Sequence, residues 1–269
     1  MKGIIGAIAG DIIGSAYEFN PTRDYHFELF TPKSTFTDDT VLTMANALWL
    51  IEDEQHSSEK LVNIMLDLCW KYPDRGYGGR FANWIHDGNP QPYGSYGNGS
   101  AMRVSPIGFY AKTLDEALEL AQISAEVTHN HPEGIKGAQA TAAAIFLARQ
   151  GKTKEEIRDY VVNTFHYDLS RTLEDIRPHY TFDETCQRTV PEALTCFMEG
   201  KDYEDVIRLA VSLAADADTL AAIAGPIAAA AWEVPNEISQ TAIALLSDEF
   251  CTTLLRFNEL VAKREQKAL

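Results

Sequence analysis

Cysteine is scarce in this chain: four residues among 269, Cys69, Cys186, Cys196 and Cys251, with no C-x-x-C pair. A disulfide framework is therefore not expected, and the thiols read as ordinary cysteines of a reducing, cytoplasmic setting. Basic charge is also short, with 23 Lys and Arg against 39 Asp and Glu, a net charge of −16. That balance opposes non-specific binding to nucleic acid or anionic lipid, so neither is an expected partner. No apolar run reaches the length that spans a bilayer, and the stretch from Met1 to Ile13 is Gly-rich and interrupted by Asp11. It lacks the basic region and cleavage site of a signal peptide. Sustained period-2 alternation with β-branched enrichment is missing too, and there is neither an internal repeat nor a low-complexity linker.

What is present is helical spacing. Hydrophobic residues at 45% and charged residues at 23% suit a globular chain with a sizeable core. Leu61, Ile64, Met65, Leu68 and Tyr72 fall at three- and four-residue steps, as do Leu114, Ala117, Leu118, Ala121 and Ala125. Ile157, Tyr160, Val161 and Phe165, then Val206, Leu209, Ala210 and Leu213, repeat the pattern. Thr113 to Glu116 and Thr153 to Glu156 have capping-box spacing. A helix is expected to start at Thr189–Val190–Pro191 and stop at Gly200, and another to run from Glu237 to about Lys267. The latter carries Ile243, Leu246, Phe250, Leu254, Phe257 and Val261 on one stripe. Gly137–Leu147 and Thr219–Trp232 are apolar all round and rich in Ala and Gly, so they read as buried helices. Gly3, Gly6, Ala7, Gly10 and Gly14 form a similar small-residue stripe. The expectation is an all-α fold, one domain over residues 1–269, with three closely packed central helices and the Gly-rich loops Arg75–Arg80 and Tyr93–Ser100 as punctuation.

Four constellations could carry chemistry. Thr37–Asp38–Asp39–Thr40 precedes the apolar helix that begins at Val41, and Asp216–Ala217–Asp218–Thr219 precedes the most apolar helix of the chain. Each reads as a helix cap. Together they also read as six oxygen ligands, Thr37, Asp38, Asp39, Asp216, Asp218 and Thr219, suited to Mg²⁺ or Mn²⁺ rather than to Zn²⁺. In Gly10–Asp11–Ile12–Ile13–Gly14–Ser15–Ala16–Tyr17–Glu18, a continuous helix would put Asp11 and Glu18 on one face, about 10 Å apart along the axis. If the helix ends first, Glu18 is a solvated carboxylate. Gly97–Asn98–Gly99–Ser100–Ala101–Met102–Arg103 is a turn whose backbone N–H groups could cradle phosphate, or a plain surface turn. It is neither a P-loop nor a dinucleotide fingerprint. Thr128–His129–Asn130–His131 has no Cys or third His to complete a zinc site, and a histidine closing a helix is the plainer role.

The order of these motifs along the chain resembles the ADP-ribosylglycohydrolase family, which takes in dinitrogenase-reductase-activating glycohydrolases and ADP-ribosyl-acceptor hydrolases. The resemblance runs from about Gly3 to Trp232, and the paired Asp motifs are its most specific part. It implies an all-α orthogonal bundle with two divalent cations, Mg²⁺ or Mn²⁺, in a cleft. The implied metal ligands are Thr37, Asp38 and Asp39 from the first motif and Asp216, Asp218 and Thr219 from the second. Glu18 matches a catalytic glutamate, and Asp74 loosely matches an aspartate beside the substrate ribose. Asn98, Gly99, Ser100 and Met102 match the segment that cradles the diphosphate, and His129 matches a histidine near bound ADP-ribose.

The implied reaction is hydrolysis of the bond between ADP-ribose and an acceptor, a protein side chain or a small molecule. Tyr77, Tyr93, Tyr96 and Arg80 are candidates for the acceptor side. A monomer is the default expectation. Two departures bear on the metal site: many members have Gly-Gly-Asp-Thr-Asp-Thr where this chain has Ala214–Ala215–Asp216–Ala217–Asp218–Thr219, and Pro226 is expected to kink the following helix. The rival reading is a non-catalytic ADP-ribose binder, against which the full set of ligands and Glu18 argues.

Overall fold

The computed structural model describes residues 2–266. Helix is the only regular structure among them, apart from one isolated antiparallel bridge between Gly97 and Thr185. The first half of the chain contains α1 (Ile5–Ser15), α2 (Asp38–Glu52), α3 (Ser58–Lys71), α4 (Gly79–His86), α5 (Gly99–Met102), α6 (Ser105–Tyr110) and α7 (Leu114–Glu126). The second contains α8 (Pro132–Arg149), α9 (Lys154–Phe165), α10 (Leu173–Ile176), α11 (Cys186–Glu199), α12 (Tyr203–Val211), α13 (Ala217–Ala231), α14 (Asn236–Ala244) and α15 (Asp248–Gln266). No helix among the described residues is long and apolar enough to cross a membrane.

The expected small-residue helices do form the centre. α13 is buried from Ala217 to Ala230 and packs against α1, α8, α11 and α12. Its contact with α1 is backbone to backbone. A Cβ on Gly10 would overlap the Ala221 carbonyl, and one on Gly14 would overlap the Asp218 backbone. Only hydrogen fits at these positions, so the stripe seen in sequence brings two helix axes close enough for their polar ends to meet. Gly→Ala in a helix interior ordinarily gains about 1 kcal/mol from propensity alone. Gly14→Ala is expected to do the reverse and cost about 1–3 kcal/mol in denaturant unfolding, because the methyl pushes α13 away. A stabilised variant would refute the close packing.

Caps explain most helix starts. Thr153 and Glu156 complete a capping box on α9. On α7 the box is half made: Thr113 accepts from the Glu116 N–H, but the Glu116 carboxylate accepts from Lys112 N–H at 2.6 Å and from Arg264 at 2.6 Å. Two sequence boundaries are corrected. α11 begins at Cys186, three residues before Thr189, and Pro191 lies inside it. The start is set by tertiary pairing, since the Cys186 N–H donates to the Tyr96 carbonyl and the Asn98 N–H to the Glu184 carbonyl. The single C-terminal helix is in fact α14 and α15, because the Ser247 hydroxyl accepts from Phe250 N–H and begins a new helix with Asp248 and Glu249 in its first turn. Its expected end at Lys267 lies outside the described residues. Pro226 does not end α13, and it lies eight residues past Asp218, about 12 Å along the axis, too far to disturb the aspartates.

Candidate active site

The site is assembled where α1, α2 and α13 converge. Asp11 is fully buried on α1, and both of its oxygens are committed to the start of α2. Its Oδ1 accepts from the Thr37 hydroxyl at 2.7 Å, and its Oδ2 accepts from the Thr37 and Thr40 backbone N–H groups at 2.9 and 3.1 Å and from the Thr40 hydroxyl. A carboxylate from one helix thus satisfies otherwise orphaned donors at the first turn of another. Thr37 is the α2 N-cap and accepts from the Asp39 N–H at 3.3 Å. From the other side, the Asp38 N–H donates to the Arg75 carbonyl at 2.8 Å, while the Arg75 guanidinium lies over the Phe36 ring at 3.8 Å. Asp38 and Asp39 are therefore held by α1 and by the loop after α3 together.

α13 supplies the opposing half. Asp216 is its N-cap, and Asp216 Oδ2 accepts from the Asn98 side chain at 2.7 Å. The Thr219 hydroxyl donates to Asp39 Oδ2 at 3.2 Å, a direct link between the two helix starts. Ala214, where many family members have glycine, sits at φ 58°. A methyl in that left-handed conformation costs on the order of 1 kcal/mol, yet the turn that carries Asp216 and Asp218 still forms.

Two carboxylate triads result: Asp11, Asp39 and Asp218, and Glu18, Asp216 and Asp218, each with oxygens within 4.8 Å of one another. They share Asp218. Asp39 Oδ1 is buried with no hydrogen-bond partner. An orphaned buried oxygen in an all-oxygen cluster suits a hard divalent cation. Glu18 joins the cluster although α1 ends at Ser15, so the continuous-helix alternative does not hold and neither does simple solvation. The buried Tyr17 turns the chain back, donating to the Glu28 carbonyl at 2.6 Å and packing edge-on against Phe27, and this aims Glu18 into the cleft.

Burial and mutual repulsion raise the proton affinities. Desolvation and then Asp216 lift Glu18 to about 7. Desolvation lifts Asp11 to about 6 against the pull of its Thr37 and Thr40 hydrogen bonds. Asp38, Asp39 and Asp218 are also raised well above the usual carboxylate range, first by desolvation and then by their acidic neighbours. Acids whose folded pKa exceeds the unfolded value near 4 bind protons more tightly in the folded state. Their stabilising contribution is present at low pH and lost as pH rises toward the folded values. Chelated protein is therefore expected to lose melting temperature between pH 5 and pH 8, and added Mg²⁺ or Mn²⁺ to restore it at pH 8. A curve that is flat or rises in chelator would overturn the charge argument.

The aspartates open into a cleft of about 560 Å³. Of the residues expected from sequence, Glu18, Asp38, Asp39, Asn98, Gly99, Met102, His129, Asp216, Asp218 and Thr219 line it. Thr37 lies behind the wall on Asp11. Ser100 does not present its hydroxyl, which is fully buried and donates to the Gly134 carbonyl at 2.7 Å. Asp74 is exposed and off the cleft wall, since its loop turns Gly76, Gly78, Gly79 and Arg80 inward instead. Tyr93, Tyr96 and Arg80 line the cleft, whereas the Tyr77 hydroxyl is spent on the Tyr72 carbonyl at 2.8 Å. His131 caps α8.

Sequence reasoning missed the anchoring role of Asp11 and the wall formed by Phe182, Asp183, Glu184 and Thr185. The Asp11 role had a faint signal in the threonines flanking the Asp38–Asp39 pair; the Phe182–Thr185 wall had none. A larger hollow of about 770 Å³ between α9 and α11 contains no such carboxylate triad among the described residues.

Comparisons with known proteins point to one family. Human ADP-ribosylhydrolase ARH3 is 26% identical in an alignment that covers 88% of this chain and 87% of the human one. The ADP-ribosylhydrolase ARH3 of Xenopus tropicalis is 27% identical, but the match spans only 62% of its length. The ADP-ribosylarginine hydrolase Tri1 of Pseudomonas putida is 26% identical, over 86% of this chain and 70% of its own. A solved structure titled ADP-ribosylglycohydrolase-related protein complex superposes with a TM-score of 0.73 over 96% of both chains at 24% identity, a likeness of fold. The ADP-ribosylglycohydrolase family model matches residues 1–268, a span that holds both aspartate motifs, Glu18 and the Asn98 loop, and the chain belongs to that family.

Proposed function

We propose that residues 1–269 act as one metal-dependent ADP-ribosyl hydrolase domain, cutting the glycosidic bond between ADP-ribose and an acceptor. The observation that carries this reading is the pair of carboxylate triads joined at Asp218, with the unpartnered Asp39 Oδ1 between two helix starts at one end of a cleft. Asp38, Asp39, Asp216, Asp218 and Thr219 would hold two divalent cations, Mg²⁺ or Mn²⁺, with Thr37 and Asp11 orienting them. When bound, the cations supply positive charge that grips the ribose hydroxyls and acidifies a nearby water.

The chain's own residues do the rest. Asn98, bonded to Asp216, ties the Gly97–Gly99 loop to the acidic end, so a diphosphate on that loop leaves the distal ribose over the aspartates. Glu18 faces the same ribose from the end of the chain reversal at Tyr17. The transition state has oxocarbenium character, which the surrounding carboxylates favour electrostatically. As the water oxygen bonds to C1 and the bond from C1 to the acceptor breaks, Glu18 takes the proton of the water, and the departing atom regains one from solvent. In the metal-free cleft burial and then Asp216 raise the proton affinity of Glu18, and bound cations would lower it again.

The acceptor enters over Arg80, Tyr93 and Tyr96, and the net charge of −16 favours an ADP-ribosylated protein side chain or small molecule over DNA or RNA. The name of the Pseudomonas relative specifies ADP-ribosylarginine, which makes an arginine-linked substrate the first to try. The test is release of free ADP-ribose from a panel of arginine-, serine-, glutamate- and nucleobase-linked substrates with Mg²⁺ or Mn²⁺ present. Release from at least one protein-type linkage is expected. Release from DNA alone would overturn the acceptor argument, and release from none, with ADP-ribose still bound, would make the chain a binding module.

A further inference from the structure

The cleft lining holds a cation as well as the aspartates. This is Arg103, a fully buried guanidinium with no carboxylate partner among the described residues and with Nε and Nη1 unbonded. Its Nη2 donates twice, to the Ser124 carbonyl at 2.6 Å and to the Thr128 hydroxyl at 2.9 Å. Thr128 Oγ1 lies 2.7 Å from His129 Nδ1, and both residues are buried. Arginine cannot accept a hydrogen bond, so Thr128 Oγ1 must be the acceptor in its contact with Arg103. The hydroxyl then has one proton to place, and His129 Nδ1 is the one acceptor recorded within its reach. A buried hydroxyl proton left without an acceptor would cost about 1–3 kcal/mol, so the proton goes to Nδ1.

We infer that Arg103 and Thr128 are positioning residues that lock His129 as the neutral Nε2–H tautomer, making it a fixed hydrogen-bond donor to a ligand phosphate oxygen in the cleft. Nε2 has no protein partner among the described residues and faces the Gly97–Gly99 loop. A Cβ on Gly99 would stand 3.2 Å from it. The loop's glycines therefore leave room for an oxygen to reach this donor. A second proton on the ring would be buried and would be repelled by Arg103 and Arg80, so burial first and then these cations hold His129 well below its usual pKa. The histidine is thus a donor of constant charge and no proton shuttle, which leaves proton transfer to Glu18. The ligand part of this inference rests on the ADP-ribose reading; the tautomer part does not.

The test is the long-range ¹H–¹⁵N spectrum of the full chain, with ADP-ribose affinity measured alongside. Wild type is expected to show His129 with a bare Nδ1 and a protonated Nε2, unchanged from pH 5.5 to 8. Thr128→Val removes only the hydroxyl and is expected to release the ring into both tautomers and to weaken ADP-ribose binding about tenfold, with Mn²⁺ affinity unchanged. Thr128→Ser is expected to restore both. A wild-type ring protonated at Nδ1 overturns the inference, as does a Thr128→Val ring that keeps the single Nε2–H form. Unaltered ADP-ribose affinity in Thr128→Val overturns the donor role. If wild type failed to bind ADP-ribose while its ring kept the Nε2–H form unchanged over that pH range, the functional reading would fail and the lock would stand.

Discussion

Asp218→Asn is expected to lower divalent-cation affinity by at least about 100-fold and to abolish ADP-ribose release, while raising the melting temperature of the metal-free protein. The two effects have one cause. Asp218 belongs to both carboxylate triads, so neutralising it removes anionic charge from each. Even residues that only support a metal ligand cost 10–100-fold, so a shared ligand should cost more. In chelator the same substitution removes a buried carboxylate raised far above its usual pKa by burial and by Asp39, Asp216 and Glu18. Relieving that repulsion stabilises the empty fold, the opposite of what losing a structural cap would do. Wild type in exhaustive chelator should be inactive for the same reason, and regain activity with Mg²⁺ or Mn²⁺. Activity that survives chelation, or an Asp218→Asn protein less stable than wild type in chelator, would refute the paired-cation reading. Calorimetric titration with Mn²⁺ and thermal melts in chelator are the two measurements.

Glu18→Gln is expected to lower kcat by about 10²–10⁴-fold, the range typical of losing a general acid or base, while ADP-ribose affinity changes by no more than about threefold. Glutamine keeps the shape and cannot take the proton. Because Glu18 lies beyond the end of α1 on a chain reversal anchored by Tyr17, the substitution leaves the packing of α1 on α13 untouched. A parallel loss of binding and turnover would instead make Glu18 a support for the cations, since its carboxylate also lies in the triad with Asp216 and Asp218. Single-turnover kinetics at saturating substrate, with ADP-ribose binding measured separately, distinguish the two.

Part of this protein is written in local pattern. Three- and four-residue spacing identifies its helices because each one buries a stripe, and the all-α fold follows. The Ala- and Gly-rich runs identify α1, α8 and α13 as the interior, since a helix without a polar face has nowhere else to go. The two aspartate motifs and the Asn98 loop likewise stood out as candidates, because each sits at a helix start or turn where residue type is tied to backbone geometry, whereas Glu18 was marked only by the family resemblance. Helix boundaries set by partners distant in sequence were not. α11 starts at Cys186 because Tyr96 accepts its N–H, and no pattern within residues 186–199 encodes that pairing.

The site shows the same division. Sequence alone determined which carboxylates stand at the two helix starts and that all of their donors are oxygen. Only the tertiary structure decided that Asp11 spends its oxygens on Thr37 and Thr40, that Asp74 is exposed and off the cleft wall, that the Ser100 hydroxyl is consumed by Gly134, and that Arg103 is buried without a carboxylate and bonded to Thr128. A side chain's donors and acceptors are claimed by whatever residues packing brings within about 3 Å, and those residues lie tens to hundreds of positions away along the chain.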